Sequence, residues 1–138
     1  MKPSPISSLS VLLVDDDSFM LNLISDLLGE LGVRLITTAK DGRTAMHAYN
    51  AHTPPDLVLC DLHMPGQDGF QLMEELARRR YSGGVILISG QEDRILNSAT
   101  LMGQFHQLHI LGALSKPVAR ARLAELLSNA CAGRPAAA

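Results

Sequence analysis

Short apolar runs alternate along the chain with stretches in which apolar residues return every three or four positions. Val11 to Val14 is the first run, a strand. Met20, Leu23, Ile24, Leu27, Leu28 and Leu31 follow at helical spacing, on a helix that Gly32 ends. The same rhythm predicts strands near Val33 to Thr38, at Asp56 to Asp61 after the breaker Pro54-Pro55, at Gly84 to Ser89 and at the "ILGAL" run. Helices are predicted over Gly42 to Ala51, Gly69 to Arg80, Asp93 to Gln107 and Ala119 to Ala130. Five β/α pairs with nearly uniform apolar strands imply a parallel sheet covered on both faces. The predicted fold class is therefore α/β, a doubly wound five-stranded parallel sheet.

In such sheets ligands bind beyond the carboxyl ends of the strands, where the strand order reverses. Read together, those ends carry Asp15 and Asp16 after the first strand, Asp61 after the third, Ser89 after the fourth and Lys116 after the fifth. Two carboxylates about 5 Å apart repel by roughly 3 kcal/mol at an effective dielectric of about 20, so "VDDD" opposes folding unless something compensates. One reading makes the acids a strand end and a helix cap, which Asp17 and Ser18 could supply alone. The other makes them a hard oxygen site suited to Mg²⁺, which keeps several waters and completes its shell with phosphate oxygens. A lysine and a hydroxyl on the same rim could reach further phosphoryl oxygens.

Bulk properties narrow the field. The chain has 138 residues, 46% hydrophobic and 19% charged, with a formal net charge of -2, which fits one globular domain without the basic bias of a nucleic-acid binder. No apolar run approaches the roughly 18 residues of a membrane span, and "MKPSPISSLS" lacks the apolar core of a signal peptide, so a cytoplasmic location is expected, with no membrane or direct nucleic-acid partner. Cys60 and Cys131 form no CxxC pair, and a structural disulfide is not expected. His106 and His109 have helix-like spacing without acidic or cysteine partners and are read as helix-end surface residues. The arginines from Arg78 to Arg80 are read as cations at a helix end, and the six methionines as core filler.

In order along the chain, "VDDD", "CDLHMPGQDG", "ISG" and "SKP" each close a predicted strand, and together they resemble the receiver (CheY-like) domain of two-component response regulators. The resemblance covers roughly Leu9 to Ser128. It implies a (βα)5 flavodoxin-like fold in which Asp61 is the phosphoacceptor for a sensor histidine kinase. It also implies that Asp16 binds Mg²⁺ directly and Asp15 mainly through water, with Asp61 and the backbone carbonyl of His63 completing the protein ligands. Ser89 then holds the hydroxyl position, Lys116 counters phosphoryl charge, the peptide before Pro117 is cis, and Asp17 is left as the helix cap. The implied protein is a signalling domain that catalyses only its own phosphorylation and dephosphorylation, with a downstream effector domain or protein as partner. Phosphorylation is expected to alter the surface of the last strand and its flanking helices, with self-association there as one outcome.

Departures from that pattern are informative. Three residues before Lys116, where many receivers carry a tyrosine or phenylalanine, stands Ala113. The segment from Ser89 to Lys116 is long and resembles receivers linked to EAL-type cyclic-di-GMP phosphodiesterase domains, which ties the expected effector to that nucleotide; no EAL catalytic domain is present. The domain plan read from this is an N-terminal arm over 1–8, a receiver over 9–130 and a linker stub or appended tail over 131–138. The enzyme alternative is a haloacid-dehalogenase-like phosphatase, but that family needs an acidic pair beyond its lysine, and after Lys116 the sole acid is Glu125. A phosphate sink or phosphorylation-independent pseudo-receiver is the other alternative, and the acids, Ser89 and Lys116 argue against the latter.

Overall fold

The computed structural model describes residues 5–49, 52–62, 69–89 and 107–132. The loop residue His63, His106, the predicted helix up to residue 106 and the tail after residue 132 lie outside them. A 3-10 turn, Pro5–Ser8, leads into β1, Ser10–Val14, and α1, Ser18–Glu30. Then come β2, Leu35–Ala39, α2, Gly42–Ala48, β3, Leu57–Asp61, α3, Gly69–Arg78, β4, Gly84–Ser89, β5, His109–Ser115, and a C-terminal helix, Arg120–Ala132. The strands form one parallel sheet in the order β2-β1-β3-β4-β5.

The continuous apolar runs have a direct cause: both faces of the sheet are buried, and alternate residues serve opposite faces. Val11, Leu13, Leu57, Leu59, Ile86 and Ile88 pack with Ile24 and Leu28 of α1 and with Leu123, Leu126 and Leu127 of the C-terminal helix. Leu12, Val14, Val58, Cys60, Val85 and Leu87 pack on the other side with Ala45, Leu72, Met73 and Leu76. Cys60 is thus a core residue, and neither Cys60 nor Cys131 is part of a disulfide.

Helix ends set several boundaries. Asp17 caps α1 through its side chain, which accepts from Phe19 N at 2.9 Å, and Asp41 does the same for α2 from Thr44 N at 2.7 Å. Gly32, with φ 107°, closes α1 in a Schellman turn: Val33 N donates to Leu28 O at 2.9 Å and Gly32 N to Gly29 O at 3.1 Å. That turn consumes Val33, so β2 starts at Leu35 rather than Val33. α3 ends in the same turn, with Tyr81 N on Leu76 O and Arg80 N on Ala77 O, both at 3.0 Å, yet the left-handed position holds Arg80 at φ 56° instead of a glycine.

Two sequence expectations change. β2 is an edge strand with one neighbour; Leu35 is 62% exposed and Thr37 and Thr38 are exposed, so it lacks the two-sided burial of the inner strands β1, β3 and β4. His109 opens β5 and is exposed there, a strand residue rather than a helix end. The reading of Arg78 and Arg79 holds: both guanidinium groups turn back to Glu75, at 2.8 and 3.6 Å.

Between β4 and β5 the register slips at Val85/Ile86, leaving Leu111 as the extra residue. Gly112, next in line, takes the close approach of the C-terminal helix, since a Cβ there would lie 2.6 Å from Leu126 Cδ2. Beyond the bulge the strands pair again up to Ser89 and Ser115, and Lys116 N donates to Ser89 O at 3.0 Å. The bulge therefore decides which residue of the β5 end stands on the rim.

Candidate functional site

The strand order reverses between β1 and β3, the central pair, and this places the carboxyl ends of those strands at the topological switch point. Val14 pairs with Cys60, so the residues that follow, Asp15 and Asp61, are neighbours across the ladder. Both are buried, as is Ser89 at the end of β4, whereas Asp16 is exposed. One carboxylate oxygen from each of Asp15, Asp16 and Asp61 falls within 4.8 Å of the others.

Lys116 reaches this group from β5. Its Nζ donates to Asp61 Oδ2 at 3.3 Å and lies 3.4 Å from Asp15 Oδ2. Burial works against the ammonium charge, but Asp61 and then Asp15 outweigh it and hold the lysine above its ordinary pKa of 10.5. Asp15 moves upward too: burial is the largest cause, Asp61 adds to it, and the hydrogen bond from Asp17 N and the charge of Lys116 oppose it. Asp15 Oδ1 accepts from Asp17 N at 2.9 Å, while its Oδ2 is fully buried with no hydrogen bond. A buried carboxylate oxygen left without a bond costs free energy, of the order of 1–3 kcal/mol or more for a charged group, unless a cation stands beside it.

Of the residues singled out from sequence, Asp15, Asp16, Asp61 and Lys116 come together, and Ser89 ends the adjacent strand; His63 lies outside the described residues. The Lys116-Pro117 peptide is cis, as the resemblance implies. Sequence reasoning missed the direct contact of Lys116 with both buried aspartates and the bond from the backbone of Asp17 to Asp15. No local signal carries either, because the first needs the strand order and the second a backbone direction.

A buried pair of carboxylates, a third acid at the surface and a lysine thus stand together at the switch point of a doubly wound α/β sheet, a rim whose donor set suits a divalent cation and phosphate oxygens. Residues 11–128 match the response regulator receiver domain. The chain is 32% identical over 90 residues to the chemotaxis protein CheY of Bacillus subtilis, covering 64% of this chain and 74% of that one. It is 32% identical over 124 residues to the positive alginate biosynthesis regulatory protein of Pseudomonas aeruginosa, covering 88% of this chain and 47% of that one. The structure resembles a response regulator from Colwellia psychrerythraea, with TM-score 0.77, 26% identity and coverage of 92% and 100%. It also resembles the CheX-CheY complex with BeF3 and Mg²⁺ from Borrelia burgdorferi, with TM-score 0.75, 25% identity and coverage of 88% and 87%. The chain belongs to the response regulator receiver domain family and is a receiver domain of two-component signalling. It spans less than half of several relatives, 47% of the alginate regulator and 18% of a protein-glutamate methylesterase of Natronomonas pharaonis. Among the described residues no helix is long and apolar enough to cross a membrane.

Proposed function

We propose that this domain accepts a phosphoryl group on Asp61 from the phosphohistidine of a sensor histidine kinase and passes the change to an effector. The observation that carries the reading is the position of Lys116 Nζ, 3.3 Å from Asp61 Oδ2 and 3.4 Å from Asp15 Oδ2, beside three carboxylates whose oxygens lie within 4.8 Å. An Asp61 oxygen attacks phosphorus, the P–N bond breaks, and the imidazole leaves with the electron pair and takes up a proton. The product is an acyl phosphate on Asp61. Water attacking the same phosphorus later releases inorganic phosphate and restores the carboxylate, so the domain returns to its starting state.

Asp15, Asp16 and Asp61 fit a divalent cation of the Mg²⁺ type, since all three offer hard oxygen donors and Asp15 Oδ2 is buried without a hydrogen bond. The carbonyl of His63 is assigned to the same set by resemblance. When bound, Mg²⁺ supplies positive charge to the equatorial phosphoryl oxygens. Lys116, held cationic by its two aspartates, contributes a second positive charge, and we assign to Ser89, the last residue of β4, the hydroxyl that donates to a phosphoryl oxygen. Asp17 ends the acid run as the cap of α1. Phe19, 70% exposed at the start of that helix, gives the partner that brings the phosphoryl group an apolar contact beside the acidic rim. We assign the domain to the cytoplasm and the receiver unit to residues 9–130, with Ala113 too small for an aromatic switch on β5.

The test is intact-mass measurement after treatment with acetyl phosphate and Mg²⁺, where one labile phosphoryl adduct is expected. Asp61→Asn should lose the adduct; an unchanged adduct refutes the assignment. Lys116→Ala should keep the fold and lose most of the adduct.

A further inference from the structure

We propose that the groove between α2 and α3 is a docking site for an acidic segment of a partner protein, one that carries an apolar residue among its carboxylates. The groove encloses about 360 Å³. Arg43, Met46 and His47 line it from α2, at the spacing of one helix face, and Glu75 and Arg79 line it from α3. α2 and α3 cover the sheet face that holds Leu12, Val58 and Leu87, and α1 and the C-terminal helix cover the other. The groove therefore lies across the sheet from α1 and Phe19.

Its charge runs against that of the whole chain, whose formal net charge is -2. Arg43 and Arg79, with the imidazole of His47, face Glu75 alone, and Glu75 is already engaged by Arg78 at 2.8 Å and Arg79 at 3.6 Å. Arg79 is held in place by a ring as well, its guanidinium carbon lying 5.6 Å from the centroid of Tyr49, which meets Tyr81 edge-on at 6.0 Å. Arg43 is the second residue of α2, where a cation opposes the helix dipole. Among the described residues no hydrogen bond or ion pair holds its guanidinium, nor the imidazole of His47. The acid nearest to Arg43 in the chain, Asp41, has its carboxylate on the cap of α2, accepting from Thr44 N at 2.7 Å. Nothing in the fold itself accounts for a bare cation at that position.

The form of the groove selects the ligand. Arg43, His47 and Arg79 are all exposed, so a single small anion would stay hydrated and gain little from any one contact. A segment bearing several carboxylates gains from all of them together, and half-buried Met46 on the same wall meets an apolar side chain between the acids. A nucleic acid would find few cations here for its charge, on a domain that is itself negative.

The probe is a fluorescein-labelled peptide with a run of glutamates on either side of a central leucine. It is titrated with the unphosphorylated full chain at low salt and followed by fluorescence anisotropy. We expect saturable binding, with Kd raised at least threefold by Arg43→Gln and at least tenfold by Arg43→Glu. Arg122→Gln removes an equal charge from the C-terminal helix, across the sheet, and should change Kd less than twofold. Melting curves check that each variant is folded, and Arg43→Gln is the milder change should Arg43→Glu disturb α2. All three variants should keep the acetyl phosphate adduct of the wild type. Absence of saturable binding overturns the proposal, and so does an equal loss in Arg122→Gln, which would mean diffuse attraction. Displacement of the peptide by inorganic phosphate at matched ionic strength would make this a small-anion site instead, and tighter binding of a labelled oligothymidine would make it a nucleic-acid surface; either result refutes the acidic segment.

Discussion

Replacing Asp16 by asparagine should raise the melting temperature of the metal-free domain while removing most of its response to Mg²⁺. Asp16 contributes one of three carboxylate oxygens that lie within 4.8 Å of each other, so neutralising it deletes two repulsive pairs. At that separation a pair costs about 3.5 kcal/mol at an effective dielectric of about 20 and about 0.9 kcal/mol in water. Asp16 is exposed, so the water-like figure governs, and two pairs amount to about 1–2 kcal/mol. For a chain of this size that corresponds to a rise of about 3–8 °C. The wild type should gain in the other direction: Mg²⁺ at 100-fold over its Kd stabilises the native state by about 2.7 kcal/mol, close to 10 °C. Differential scanning calorimetry in EDTA and in a MgCl₂ series, with KCl at matched ionic strength as the screening control, measures both effects. A wild type whose melting point ignores Mg²⁺ beyond the KCl control would return the acid run to a capping role. An Asp16→Asn variant that keeps the full Mg²⁺ shift would remove Asp16 from the site.

Other consequences follow from single residues. Arg80 occupies the left-handed position of a Schellman turn at φ 56°, so Arg80→Gly should stabilise the domain by about 1 kcal/mol and raise its melting point by about 3–4 °C without changing phosphorylation by acetyl phosphate; no rise would mean the turn carries no such cost. Asp15 is held above its ordinary 3.8, chiefly by burial, so the folded state binds its proton more tightly than the unfolded chain does. In EDTA, the stability of the wild type relative to Asp15→Asn should therefore increase as pH falls from neutral toward 3.8, and urea unfolding that shows the opposite slope would refute the burial argument. Phe19→Ala should slow phosphotransfer from a histidine kinase severalfold while leaving the rate with acetyl phosphate unchanged; equal loss with both donors would place Phe19 in the chemistry rather than at a partner contact.

What the sequence determines here is local. Periodicity of two or of 3.6 is a property of neighbouring residues, so the strand at Val11, the helix bearing Ile24 and Leu28, and the buried run before Asp61 are all legible without coordinates. Asp17 and Gly32 mark the ends of α1 because caps are chosen by backbone conformation, and the acid run is legible as a cluster of like charge because its members are adjacent in the chain. Where a strong local signal is missing, the sequence misleads: Arg80 ends α3 in a turn usually given to glycine, and His109 at helical spacing belongs to a strand.

Tertiary structure alone decides which strands are neighbours. An apolar run records that both its faces are buried, but carries nothing about what lies beside it, so the order β2-β1-β3-β4-β5 and the edge position of Leu35 appear only when the crossovers are packed. That order brings Asp61 next to Asp15 across 46 residues of chain, and the slip in β5 at Leu111 sets the register that brings Lys116 to both. The choice between the two oxygens of Asp15 is finer still. It depends on where the N–H of Asp17 points, a direction that no pattern of residue types encodes.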